Sequence, residues 1–309
     1  MSLIIQPNEL DSNAPISCMI YGQPGCGKTS LAISSERPLL IDLDRGLHRV
    51  AAKNQCPSVQ VTNYQQVIDI LSSDDINDFQ TIVIDTFGKL IDCMGIYICE
   101  QNPKLRQADG ALTTKAWGAI KVRAHELVQR IFSKNKNVIF VAHEKEEKDG
   151  DDRILRPDVA GSSGKDLIQD LDLMGYMQMV GNKRTISFTP THKFYAKNSL
   201  DLPPVIEVPN NSTRNDFYSK AIVEAVKKSR EETRRIRAEY DKLVEKHNKN
   251  IEIISDVEQF NMAFEAMKED EAIWDSTLLW KRALKAKADL LNIVFNAKLG
   301  VFENAVDNA

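Results

Sequence analysis

The sequence predicts an α/β fold with a mainly parallel sheet, followed by a helical C-terminal region, the division falling near residue 210. Three observations carry this. Short apolar runs alternate with helix-length amphipathic segments, a turn-rich stretch (Pro203, Pro204, Pro209, Asn210, Asn211, Ser212) interrupts them, and helical spacing prevails after about Asn215. Ile16 to Tyr21, Pro38 to Asp42, Thr81 to Asp85 and Asn137 to Ala142 read as strands, because each is a short apolar run bounded by turn or polar residues. Tyr64 to Leu71, Gly88 to Glu100 and Thr114 to Ser133 read as crossover helices, with apolar residues such as Leu90, Cys93, Met94 and Tyr97 on one stripe. Lys145 to Lys165 is polar and Gly-rich and reads as a mobile loop, after which Leu173 to Val180, Thr185 to Thr189 and Lys193 to Lys197 resume the strand pattern. The expected domains are residues 1–210 and 211–309. In the second, Ile222, Val226, Ser229, Thr233, Ile236, Tyr240, Leu243 and His247 form a stripe that suits either a plain amphipathic helix or a weak coiled coil. Helices are also expected at Asp256 to Lys268 and Asp275 to Ala297.

Composition narrows the class. A chain of 309 residues, 42% hydrophobic and 27% charged, can bury one large core or two modest ones. Forty Lys and Arg against 44 Asp and Glu leave a formal charge of −4, so the chain as a whole is no polycation for coating nucleic acid or anionic lipid. No window of 18 apolar residues occurs, and the first residues lack the basic and apolar regions of a secretory signal; a cytoplasmic protein without a membrane partner is expected. The five cysteines form neither a CxxC pair nor a zinc spacing and read as reduced, mostly buried thiols.

The most informative stretch is Gly22-Gln23-Pro24-Gly25-Cys26-Gly27-Lys28-Thr29-Ser30, which satisfies GxxxxGK[ST] between a strand and a helix. Glycines let such a loop turn its backbone N–H groups toward phosphate oxygens. Lys28 would then reach the β and γ phosphates, and the Thr29 hydroxyl would ligate Mg²⁺. Asp85 ends the apolar run Thr81-Ile82-Val83-Ile84 and is the candidate carboxylate for the metal. Thr86 follows it, so a second acid to activate water is absent there. Asp42 and Asp44, at the end of Leu39-Leu40-Ile41-Asp42-Leu43-Asp44, are the nearest substitutes, and Asp44, just beyond the strand, is preferred.

These pieces resemble the RecA-like P-loop ATPases encoded by phages, described as single-strand annealing or recombination proteins. The resemblance rests on an ordered set between Ile16 and Pro204: GQPGCGKTS, LLIDLD, TIVIDT, the helix around Trp117, NVIFVAHE, RPDVAGSSGKDL and FYAKNSLDLPP. It implies a RecA-like core that binds ATP and Mg²⁺, with Asp44 as catalytic carboxylate and Asp85 as the metal-linked acid. It further implies that His143 senses the γ-phosphate and that Lys197 reaches a neighbouring subunit's nucleotide. Ser199 stands where a second basic residue is usual, so Arg184 or Lys193 are alternatives for that last role. The implied partners are single-stranded DNA, further copies of the chain in a ring or filament, and a single-strand-binding protein. The cations available for DNA are Lys145, Lys148, Arg153, Arg156 and Lys165, diluted by acids at 146 to 152. Residues 227 to 249 hold nine cations and five acids, a run that suits a solvated helix face as well as a DNA contact. Two other classes fit the loop: a non-hydrolysing nucleotide-dependent assembly factor, and a phosphotransferase, against which the lack of an Arg-rich lid counts.

Overall fold

The computed structural model describes residues 11–149, 152–159, 169–209 and 216–305. They fall into two compact units, one Asn13–Ser229, the other running from Arg230 and taking in Asp11 and Ser12. The first unit is built on one sheet. Its strands are β1 (Ser17–Gly22), β2 (Pro38–Asp42), β3 (Ser58–Gln60), β4 (Thr81–Asp85), β5 (Asn137–Asp149), β7 (Leu173–Val180), β8 (Lys183–Ser187) and β10 (Val205–Val208), in the spatial order β10-β8-β7-β1-β5-β4-β2-β3. From β7 to β3 every neighbour is parallel, while β8 and β10 close one edge antiparallel.

Both faces of the parallel part are covered, which is why its strands read as unbroken apolar runs rather than alternating ones. One face buries Met19, Tyr21, Ile84 and Phe140 against helices α2 (Tyr64–Ser72), α3 (Phe87–Gln101) and α4 (Thr114–Ser133). The other buries Ile20, Leu40, Val83 and Ile139 together with Leu31 of α1 (Lys28–Ala32) and with Tyr218, Ile222 and Val226. The register sets the end of β1 between two longer strands: Gly22 lies beside His143 of β5 on one side and Met177 of β7 on the other. Because β5 stands between β1 and β4, Asp85 is one strand removed from the loop that follows β1.

In the first unit three expectations are corrected. Much of the polar segment after Ala142 is not a loop: β5 continues through it and pairs antiparallel with β6 (Asp152–Pro157), Glu144 opposite Pro157 and Lys145 opposite Arg156. Charged side chains there satisfy one another across the hairpin, Arg153 on Glu146 at 3.0 Å and Arg156 on Glu147 at 2.9 Å, so a strand can be polar without an apolar stripe. Residues 160–168, with Lys165, lie outside the described residues. Of the prolines only Pro209 follows the last strand of the sheet; Pro203 and Pro204 precede β10, an edge position where a missing N–H is tolerated. The strand expected at Lys193 to Lys197 is reduced to β9 (Lys197–Asn198), paired with Leu173 and Met174.

In the second unit, α5 (Glu224–Glu252), whose first residues belong to the other unit, is followed by α6 (Val257–Glu269) and α7 (Ser276–Leu291) around Phe260, Met267, Trp280 and Leu284. The helix expected to reach Ala297 stops at Leu291, where Asn292 takes a left-handed conformation, φ 51°. Ile293–Asn296 (β11) then pairs antiparallel with Val301–Asn304 (β12). The β-branched and aromatic residues of Ile293-Val294-Phe295 favour this hairpin over another helical turn. Asn261 docks it, its side chain donating to the Phe302 carbonyl at 2.8 Å and accepting from the Phe302 N–H at 2.9 Å. Among the described residues no helix is long and apolar enough to cross a membrane.

Gly175 of β7 shows how tightly the first unit is packed: a Cβ there would lie 2.4 Å from Cδ1 of Ile186 and 2.9 Å from the Phe188 ring. Gly175→Ala is therefore expected to cost about 1–3 kcal/mol, as overpacked cores do. Chemical denaturation checks it, and an unchanged midpoint would contradict the packing described.

Candidate functional site

The loop after β1 turns at the carboxyl edge of the sheet, and two glycines make the turn possible. Gly22, at φ 151°, has its missing Cβ position only 2.1 Å from the Met177 carbonyl oxygen, so no side chain fits. Gly27 sits at φ 97° immediately before α1, a backbone state that side chains strongly disfavour. Gln23, Pro24 and Gly25 are exposed at the crest, Cys26 is buried beneath it, and Thr29 and Ser30 are half-buried on the first turn of α1.

Lys28 is buried, and its Nζ donates to the carbonyls of Gly22 at 2.9 Å and Gln23 at 2.7 Å. Burial lowers its pKa, with the fields of Cys26 and Asp85 acting the other way. Asp85 is buried as well, and burial raises its pKa, opposed by the hydrogen bond it accepts on Oδ2 from the Thr29 hydroxyl at 2.5 Å. Each group is thus held where its charge is under-compensated: the ammonium rests on neutral carbonyls and the carboxylate on a neutral hydroxyl. An anion beside Lys28 and a cation beside Asp85 and Thr29 would relieve both. The Cys26 thiol is pushed up by burial despite Lys28, so it remains a protonated filler.

The two acids after β2 separate clearly. Asp42 is fully buried and accepts backbone N–H bonds from Gly46 at 3.0 Å and Leu47 at 3.1 Å, so it shapes the loop. Asp44 is open to solvent at one side and is tied to Asp85 through the backbone, because the Leu43 and Asp44 N–H groups both donate to the Asp85 carbonyl. Its carboxylate meets Lys89 and, at 3.2 Å, Arg49. Partial burial pushes its pKa up, but the hydrogen bond and charge of Lys89, helped by Arg49, hold it below the usual carboxylate range. His143 lies beside Gly22 in the register, and its Nδ1 is buried with no hydrogen-bond partner among the described residues.

Lys197 is not brought to this loop within its own chain. It pairs with Met174, three positions before Met177 on β7, and its Nζ donates to the Gln169 carbonyl at 2.6 Å. Arg184 lies on β8 opposite Met179 and Val208, and Lys193 is exposed at the turn beside β6.

Two residues of the site were not singled out by sequence. Glu144, the residue after His143, accepts a hydrogen bond from the Tyr176 hydroxyl at 2.9 Å, and its charge reaches Lys28. It was concealed among neighbouring acids; its place directly after His143 was the only signal. Lys89 comes from the first turns of α3, and nothing in its local sequence points to Asp44.

The donor set fits a magnesium–triphosphate. Hydroxyl and carboxylate oxygens are the hard ligands Mg²⁺ prefers, and it commonly takes only one or two protein groups, the rest being phosphate and water. No cluster of three or more His, Cys, Asp or Glu able to hold a metal by themselves occurs among the described residues. The buried orphan nitrogen of His143 suits a phosphate oxygen as partner.

Two outcomes are expected. Lys28→Ala should abolish tight binding of a fluorescent ATP analogue with Mg²⁺, and unchanged affinity would sink the assignment. Lys89→Met should raise the Asp44 titration midpoint in carboxyl carbon NMR. The sign follows from the depression in the folded state: the Asp44 ion pairs stabilise above its ordinary pKa and are lost as pH falls through the lower folded value. A midpoint that stays put would show that Lys89 does not set it.

A prophage-derived uncharacterized protein of the SPbeta element of Bacillus subtilis strain 168, YorG, is 24% identical over 225 residues, covering 68% of this chain and 66% of that protein, just under two thirds of its length. Residues 14–200, which contain the phosphate loop, Asp44, Asp85, His143 and Lys197, match the family described as an AAA domain, and the chain belongs to that family of P-loop proteins.

Proposed function

We propose that the chain is an ATPase of a phage or prophage that binds ATP with Mg²⁺ at the β1–α1 loop, hydrolyses it, and couples it to single-stranded DNA in annealing or strand pairing. The observation that carries the nucleotide half is the pair of buried, under-compensated groups Lys28 and Asp85 at one strand edge. When bound, Mg²⁺ would neutralise phosphate charge. The chain's own residues do the rest. Loop N–H groups and Lys28 hold the phosphates, Thr29 and Asp85 hold the metal side, and Asp44 or Glu144 orients water for in-line attack. Lys89 and Arg49 keep Asp44 ionised, which suits holding water better than strong proton abstraction.

The DNA half is supported by topology and by the prophage origin of the similar protein. β5 runs from His143, beside the phosphate loop, straight into the hairpin with β6 that carries Lys148 and Arg153. The hairpin is fastened to the sheet by Tyr21, whose hydroxyl lies within hydrogen-bond distance, 3.2 Å, of the Leu155 carbonyl on β6, and Arg156 of β6 lies 4.3 Å over the ring of Tyr195, whose carbonyl takes a second bond from Tyr21 at 2.5 Å. A change at His143 could thus reach the arm through one strand. The role of Lys197 toward a neighbouring copy belongs to the same proposal, as does assembly into a ring or filament.

ATP turnover with and without single-stranded DNA tests the reading. Stimulation by DNA is expected; tight ATP binding without turnover would favour the non-hydrolysing assembly factor, and transfer of phosphate to a small acceptor the phosphotransferase. Asp85→Asn should weaken Mg²⁺-dependent binding, whereas Asp44→Asn should leave binding near normal and slow hydrolysis by about 10²–10⁴-fold if Asp44 is the positioned base. Full turnover in Asp44→Asn would move that role to Glu144.

A further inference from the structure

We infer that the C-terminal unit carries a docking site for an acidic peptide segment with a bulky apolar residue. A cavity of about 300 Å³ opens between α6, α7 and the β11–β12 hairpin, walled by Phe264, Trp280, Leu284, Phe295 and Phe302. None of these belongs to the nucleotide site. The cavity wall opens onto exposed apolar surface at Phe295 of the hairpin, 53% exposed, an unusual display on a unit whose core is small.

Charge identifies the occupant. Lys281 and Lys285 stand on the rim, one turn apart on α7, and neither has an acidic partner among the described residues. Lys281 lies 5.6 Å over the Trp280 ring and Arg282 is exposed beside it, while Asp289 is the single acid on the lining. Apolar walls with a basic rim match a segment that buries one large side chain and leaves carboxylates at the mouth. The volume holds one or two large side chains. Nucleic acid is the poorer match, because bases need open ring faces in series. Here the rings close on one another instead, Phe264 and Phe295 each 5.0 Å from Phe302 at interplanar angles of 69° and 59°.

The test uses the full chain and a fluorescein-labelled peptide of four aspartates followed by leucine and phenylalanine, read by anisotropy. Saturable binding is expected, weakened about tenfold or more by Lys281→Glu with Lys285→Glu and by raised salt, since rim charges in water are screened. Phe295→Ala, at an exposed position that leaves the core intact, should weaken it comparably. An asparagine version of the peptide that binds equally well would overturn the charge assignment. No peptide binding, or an oligothymidine that binds here and is lost in both variants, would overturn the site. None of these outcomes depends on ATP turnover, so the site stands or falls apart from the nucleotide reading.

Discussion

The structure turns on a buried ammonium that lacks a carboxylate. Lys28 sits at the edge of the sheet on two loop carbonyls, and Asp85, at the end of β4 beyond β5, has a hydroxyl for company. Burying such groups unpaired is costly, and folds keep them where a ligand completes them. What surrounds them holds that arrangement open: glycine at 22 because Met177 leaves no room for a side chain, β5 set between β1 and β4, and both sheet faces covered so that the loops after β1 and β4 remain available.

The first unit was legible to the extent that its strands are buried on both sides. Pro38–Asp42, Thr81–Asp85 and Leu173–Val180 fall where the apolar runs put them, and Thr114–Ser133 where the helical stripe does. The hairpin of β5 and β6 was not, because its stability comes from cross-strand ion pairs and from anchoring by Tyr21 rather than from an apolar stripe. The C-terminal hairpin was missed for a related reason: Ile293 to Asn296 continues the helical spacing of α7, and only the left-handed turn at Asn292 separates the two. At the site, motif residues were readable, since a phosphate loop demands particular side chains at particular spacings. Glu144 and Lys89 were not, because their positions depend on which strands and helices become neighbours.

The division of labour between Asp42 and Asp44 shows the same limit. Sequence places both at the end of one strand, and only the backbone bonds of Gly46 and Leu47 reveal that Asp42 is occupied with the loop. Asp44 remains available, yet its cations make it a weak base, and Glu144, clasped by Tyr176, is a second carboxylate whose charge reaches Lys28.

The central claim is that Lys28 and Asp85 await a triphosphate and a divalent cation together. Calorimetric titration of the full chain with ATP, in Mg²⁺ and again in a chelator, tests it most directly. The account predicts one saturable site per chain with binding that is tight in Mg²⁺ and much weaker without it. Equal affinity in the two solutions, or no binding heat in either, would contradict it.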